Sequence, residues 1–181
     1  MLSGRRVSAQ FKDYDLFDQL NREAFPPEEF LETEKIISLA QQGLFEVTAL
    51  YDGEEFVGFF VVVTEKTVVY LFFLAINETK RSRGYGAQAL RLLKEMYPGC
   101  QIALDMEEVN EAAGNYEQRK RRLRFYSRNG YVQTGFFLNY NGIVLEVLCD
   151  TENFDYETFS NMLGEIHVTK EPLFLFRKDC E

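Results

Sequence analysis

Hydrophobic and polar positions follow two different periods along this chain. Residues 45–51 and 55–64 are apolar runs rich in β-branched and aromatic side chains, parted by Asp52-Gly53, and a third run, 67–76, follows Glu65-Lys66. Apolar runs of that length bounded by turn residues predict strands, and Asp-Gly between them predicts a hairpin, so the three form an antiparallel meander. After the meander the spacing changes. Ala87, Leu90, Leu93 and Met96 recur every third residue, Ala89 and Leu92 widen the stripe, and Pro98-Gly99 stops it, which predicts an amphipathic helix from Ala87. Upstream, the spacing predicts helices over 13–25 (Leu16, Phe17, Leu20, Ala24) and 28–42, broken by Pro26-Pro27, with a first strand over 7–11. Downstream it predicts a strand over 101–105, an acidic loop over 106–114 and a helix over 115–128. A hairpin of 136–140 and 143–148 turns on Asn141-Gly142; a late helix over 155–165 and an edge strand over 173–176 follow.

Between the third strand and the helix lies Arg81-Ser82-Arg83-Gly84-Tyr85-Gly86. A strand, a glycine-bearing turn and a helix N-terminus present free backbone N–H groups and the positive end of a helix dipole to an anion. Gly84 and Gly86 carry no Cβ, so a phosphate can come close to the main chain. The spacing is not GxGxxG, and no Gly-Lys-Ser/Thr follows, which excludes the dinucleotide fingerprint and the NTPase phosphate loop.

The pattern Arg-x-x-Gly-x-Gly, followed at a distance by Phe125-Tyr126-Ser127-Arg128-Asn129-Gly130-Tyr131, resembles the GNAT N-acetyltransferase superfamily, with its pyrophosphate loop and its FYxxxGF segment. The resemblance covers about residues 7–148. It implies an α/β (α+β) fold: a mixed, mostly antiparallel sheet flanked by helices, whose central strands 68–76 and 101–105 are parallel and splay apart. It also implies acetyl-coenzyme A as co-substrate. Its pyrophosphate would meet the backbone of Arg81, Ser82, Arg83, Gly84, Tyr85, Gly86 and Ala87, with Arg81 and Arg83 adding charge-assisted contacts. Its pantetheine arm would pair with main-chain groups of Phe73, Leu74, Ala75 and Ile76. Many family members carry an asparagine seven residues before the motif tyrosine. Here that residue is Arg119, and Asn115, one turn earlier on the same stripe, is the candidate substitute for its coenzyme contact.

Acetyl transfer to an amine requires that the amine, of solution pKa about 10, lose a proton, and that the departing thiolate be stabilised. The resemblance puts Tyr126 at the position of the proton donor to sulfur. No carboxylate stands in strand 68–76, where some members keep a glutamate, so Glu107 and Glu108 are the candidate bases, with Glu46 and Glu146 as alternatives. The expected reaction is N-acetylation of a primary amine, on a small molecule or a peptide or protein, by direct attack in a ternary complex. The rivals are another acyl donor or a hydroxyl acceptor on the same fold, and a catalytically inactive coenzyme A-binding sensor module.

Composition narrows the classes. At 181 residues, 46% hydrophobic and 27% charged, the chain predicts one domain, with 149–181 as a C-terminal extension. A net charge of −9 disfavours nucleic acid and anionic membranes, even though 119–128 is a basic run. Glu28, Glu29, Glu32 and Glu34 form either a solvated face or a cation-attracting rim. Three widely spaced cysteines and one histidine predict no disulfide framework and no metal site. The N-terminus lacks an apolar leader core and the apolar runs are too short to span a bilayer, so the expectation is a cytoplasmic monomer or homodimer.

Overall fold

A computed structural model describes residues 2–8, 10–80, 83–169 and 171–178. The chain is mixed α/β. It runs β1 (Leu2–Arg6), α1 (Tyr14–Ala24), α2 (Thr33–Gln41), β2 (Glu46–Asp52), β3 (Glu55–Glu65), β4 (Val68–Ile76), a 3-10 turn (Glu78–Lys80) and α3 (Tyr85–Met96). It continues through β5 (Gln101–Glu107), α4 (Tyr116–Arg128), β6 (Val132–Tyr140), β7 (Ile143–Cys149), α5 (Tyr156–Glu165) and β8 (Leu175–Phe176). Two compact units divide it, one of residues 1–64 and 71–99, the other of 65–70 and 100–181.

In the first unit the strands neighbour one another in the order β1-β2-β3-β4, and β1 with β2 and β2 with β3 pair antiparallel. β3 reads as a continuous apolar run because Val57, Phe59, Phe60, Val61 and Val62 are all fully buried. Phe17 of α1 stacks on Phe59 with ring centroids 4.0 Å apart. α2 packs on β2, and α3 on β1.

The first strand is not 7–11 but Leu2–Arg6, paired from Leu2↔Asp52 to Arg6↔Thr48. Its polar sequence hides it, since its strand character comes from its partner. Arg5 lies over the Tyr51 ring at 4.3 Å and bridges to Glu54 at 2.7 Å. The second helix starts at Thr33, not at residue 28, because Pro26 O accepts from both Glu29 N and Phe30 N and closes a turn there. Thr33 is then held in the core: its Oγ1 donates to Asp18 at 2.7 Å and accepts from Asn21 Nδ2 at 3.2 Å. The central helix begins at Tyr85 and buries Tyr85, Ala89, Leu90 and Leu93, while Ala87, Leu92 and Met96 are half-buried.

Gly58 of β3 is a position where the backbone leaves no room. A Cβ there would stand 2.3 Å from the Ala75 carbonyl oxygen and 3.2 Å from Ile76 Cα. Neither neighbour is a flexible side-chain end, so Gly58→Ala must push β4 off β3. The expected result is a loss of roughly 2–3 kcal/mol in urea melts and about 5–10 °C in melting temperature. A fully stable variant would show that β4 can give way there.

In the second unit the strand order is β5-β7-β6-β8, every neighbouring pair antiparallel. Its hairpin turn is as the sequence predicts, with Asn141 and Gly142 at φ 50° and 89°, the two positive values that a type I′ turn needs. β6 starts four residues earlier than its apolar run, at Val132, because its irregularity around Gly135 (φ 75°) interrupts the pattern. Residues 65–70 join this unit: Gln101 N donates to Thr67 O at 2.8 Å, and the Tyr70 ring meets Phe159 of α5 edge-on at 5.0 Å. Asp155 caps α5, its side chain accepting from Thr158 N. α4 packs on β5. The expected architecture, a mostly antiparallel sheet with flanking helices, is the one observed. Among the described residues no helix is long and apolar enough to cross a membrane.

Candidate functional site

The predicted site residues fall on both units. In the first, the turn from β4 to α3 is held at several points. Asn77 N donates to Val57 O at 3.0 Å, and Asn77 Oδ1 accepts from Thr79 N and Oγ1 at 3.0 and 2.8 Å. Lys80 N returns to Asn77 O, and its ammonium pairs with Glu55. Arg81 and Ser82 lie outside the described residues. Gly84 is the N-cap of α3 at φ 78°, ψ 8°, a left-handed conformation that costs other residues energy. The first intrahelical bond runs from Gln88 N to Gly84 O at 3.0 Å, so the N–H groups of Tyr85, Gly86 and Ala87 precede the ladder. Gly84 and Arg83 are exposed, while Gly86 and Ala87 are half-buried.

Tyr85 does a different job from its neighbours. Its ring is buried, and its hydroxyl donates to Asp52 Oδ2 at 2.7 Å, tying the helix start to the end of β2. That bond raises the phenol's pKa, and the same phenol lowers that of Asp52. Phe73 is buried against Phe25, at 4.5 Å between rings, and Ala75 is buried as well; Leu74 and Ile76 are half-buried. Glu46 is engaged in this unit by Arg6, by Tyr97 Oη at 3.0 Å and by Thr64 Oγ1 at 3.2 Å.

In the second unit, Tyr126 sits on the last turn of α4. The motif around it is a helix stop: Gly130 has φ 88°, its N–H donates to Ser127 O, and Tyr131 N donates to Tyr126 O. These are the paired bonds of a Schellman motif, which explains why glycine and then an aromatic close the segment. Tyr131 is buried and its ring lies 6.0 Å from that of Tyr126. Burial is the main cause that pushes the Tyr126 phenol up to about 12; Asp105 adds to the rise and Arg122 opposes it. Such a phenol stays protonated across the working range and remains a hydrogen-bond donor.

Glu107 is the last residue of β5, not a loop residue, and is already bound. Arg119 Nη2 donates to its Oε1 at 2.7 Å and Asn115 Nδ2 to both its oxygens, at 3.3 and 3.1 Å. Arg119 also donates from Nε to Asn115 Oδ1 at 2.6 Å and from Nη1 to Glu108 O at 2.9 Å. Every nitrogen of the guanidinium is engaged, so Arg119, Asn115 and Glu107 act as a clasp between α4 and β5. Glu108 pairs with Lys178.

Two further acids stand out, of which sequence reasoning missed Asp105. Asp105 accepts from Tyr70 Oη; its signal was a lone carboxylate inside the run Ile102-Ala103-Leu104-Asp105-Met106. Glu146, one of several alternatives from sequence, is only 6% exposed, with Gln133 Nε2 donating to it at 2.7 Å. Burial raises its pKa, and Glu108 raises it further. Among the described residues no group of three or more His, Cys, Asp and Glu is placed to hold a metal.

The profile of the Acetyltransferase (GNAT) family matches residues 13–131. The chain belongs to the GNAT acetyltransferase family. No curated protein matches it in sequence. Among solved structures, a putative GNAT-family acetyltransferase from Bacteroides thetaiotaomicron is similar at 24% identity and TM-score 0.71, over 86% of this chain and 89% of that one. An aminoglycoside 6'-N-acetyltransferase complexed with coenzyme A follows at 19% and 0.64, over 82% and 95%. Arabidopsis thaliana Naa50, in complex with the bisubstrate analogue CoA-Ac-MVNAL, matches at 20% and 0.61, over 83% and 98%. At these identities the likeness is one of fold.

Proposed function

We propose that this GNAT protein transfers acetyl from acetyl-coenzyme A to a primary amine by direct attack in a ternary complex. The observation that carries the reading is the start of α3: a left-handed Gly84 followed by three backbone N–H groups ahead of the helical ladder, where a pyrophosphate is favoured by hydrogen bonds and by the dipole. The cradle fits the group. Among the described residues other than its chain neighbours, Gln88 Nε2, at 4.0 Å, is the atom that a Cβ built on Gly84 would meet, so these residues leave the approach open. Arg83 adds charge beside it, and Phe73, Leu74, Ala75 and Ile76 offer the main chain for the pantetheine arm. The similar structures bound to coenzyme A and to a coenzyme A–peptide analogue support the donor, and their amine acceptors, one an aminoglycoside and one a peptide, support the acceptor class.

Tyr126 donates a hydrogen bond to the sulfur as the carbon–sulfur bond breaks and the amine nitrogen bonds to the carbonyl carbon. With its phenol pushed up to about 12, mainly by burial, Tyr126 stays protonated and is available as donor to the departing sulfur. Of the sequence-predicted bases, Glu107 is held by Arg119 and Asn115 and Glu108 by a more exposed pair with Lys178, so Glu108, the more lightly held, is the proposed proton acceptor. Glu107 would serve by holding α4, and hence Tyr126, against β5.

The test is a thermal-shift titration with acetyl-coenzyme A, coenzyme A and ATP, followed by free-thiol release across a panel of amines. Both coenzyme forms are expected to raise the melting temperature and ATP is not, and an amine from the panel is expected to release thiol. Absence of any shift with the coenzymes would remove the loop assignment. A shift without thiol release would favour a coenzyme-binding sensor over a transferase.

A further inference from the structure

The C-terminal tail brings an ammonium of its own into a cradle of two acids and an aromatic ring. Strand register assembles the cradle on one face of the second unit's sheet. Met106 pairs with Glu146, and Glu146 with Phe137; residues directly opposite each other share a face. Glu108, two residues beyond Met106, continues that face. Phe137 pairs in turn with Phe176 of β8, and Lys178 stands two residues further along. Its Nζ lies 4.6 Å from the Phe137 ring centroid and is ion-paired to Glu108. Its charge also reaches Glu146, where it opposes the upward push that burial and Glu108 exert on that carboxyl.

Glu146 gives this face a chemistry that a solvated acidic patch lacks. A carboxylate only 6% exposed is costly unless a cation compensates it, and its hydrogen-bonding neighbour Gln133 is neutral. Two carboxylates converging beside an aromatic face are what a primary ammonium requires: hydrogen-bond acceptors on one side and a ring quadrupole on another. We propose that Glu108, Glu146 and Phe137 form a binding subsite for a primary alkylammonium group, filled in this structure by Lys178 as a tethered stand-in. Naming that ammonium as part of the acceptor rests on the transferase reading; its binding does not.

The tail's hold on the subsite is light. β8 is two residues long, and the Lys178 and Glu108 side chains keep 44% and 33% of their exposure, a range in which ion pairs contribute little. Lys178 is therefore a weak competitor whose advantage over a ligand ammonium is its tether.

The test titrates the full chain and its Lys178→Ala variant with n-butylammonium, following the side-chain carboxyl carbon signals of Glu108 and Glu146, with n-butanol as the uncharged control. Lys178→Ala is expected to bind n-butylammonium about threefold tighter than the parent, the competition a half-exposed pair can offer. Both carboxyl signals should move, butanol should move neither, and Glu146→Gln in the Lys178→Ala background should weaken binding about tenfold. Equal affinities with and without Lys178, shifts elsewhere than at these carboxyls, or indifference to Glu146→Gln would overturn the proposal. Coenzyme A thermal shifts on the same samples separate the two readings. An intact shift without an ammonium site refutes the subsite alone, whereas an ammonium site without a shift refutes the transferase reading alone.

Discussion

Gly84→Asp is expected to lower coenzyme A affinity at least about 100-fold, abolishing the thermal shift that the parent shows at the same concentration. Two effects add. The residue sits at φ 78°, where a side chain strains the backbone by about 1 kcal/mol. More important, the aspartate places a negative charge where the pyrophosphate's own charge must sit, at the positive end of α3. The variant should still fold, because among the described residues a Cβ at Gly84 meets nothing nearer than Gln88 Nε2 at 4.0 Å. Gly84→Ala separates the two effects, since it carries the strain without the charge and should lose much less affinity. Undiminished coenzyme stabilisation in Gly84→Asp would show that the anion binds elsewhere.

Tyr126→Phe is expected to lower turnover about 100-fold while leaving acetyl-coenzyme A affinity within about twofold. The ring's packing against Phe125 and Tyr131 survives the change, so only the hydroxyl is lost. Because burial holds the phenol near 12, its ionisation falls beyond the alkaline limb of any ordinary rate profile. The variant should therefore lose rate uniformly with pH rather than shift the profile. Single-turnover rates are the measurement that decides, because slow product release masks a chemical defect in steady state. Unchanged single-turnover rates would take Tyr126 out of the chemistry and leave it as the packed end of α4.

How much of this was legible beforehand depended on whether a signal was local. Strands β2 to β4 are recoverable to within a residue or two because two-residue turns bound long β-branched runs. The I′ turn at Asn141-Gly142 and the Gly130 helix stop are written in residues that tolerate positive φ. The glycine loop is visible for the same reason. β1 is not, since Leu2–Arg6 is polar and becomes a strand only through Asp52 to Thr48 opposite. The true start of α2 depends on Asn21 and Asp18 reaching Thr33 from α1. Gly58 looks dispensable until Ala75 O is found where its Cβ would be.

The sequence by itself determined the order of elements, the glycine turn at Gly84 and the helix stop at Gly130, because each rests on backbone rules that operate within a few residues. Only the tertiary structure decided what the charged residues do. Glu107 and Glu108 are adjacent and chemically identical, yet one closes a clasp with Arg119 and Asn115 and the other meets Lys178, seventy residues along. Glu146 reads like any strand glutamate until burial raises its pKa and register sets Phe137 opposite it. A carboxylate's role follows from its desolvation and from which cation reaches it, and both are properties of the folded chain.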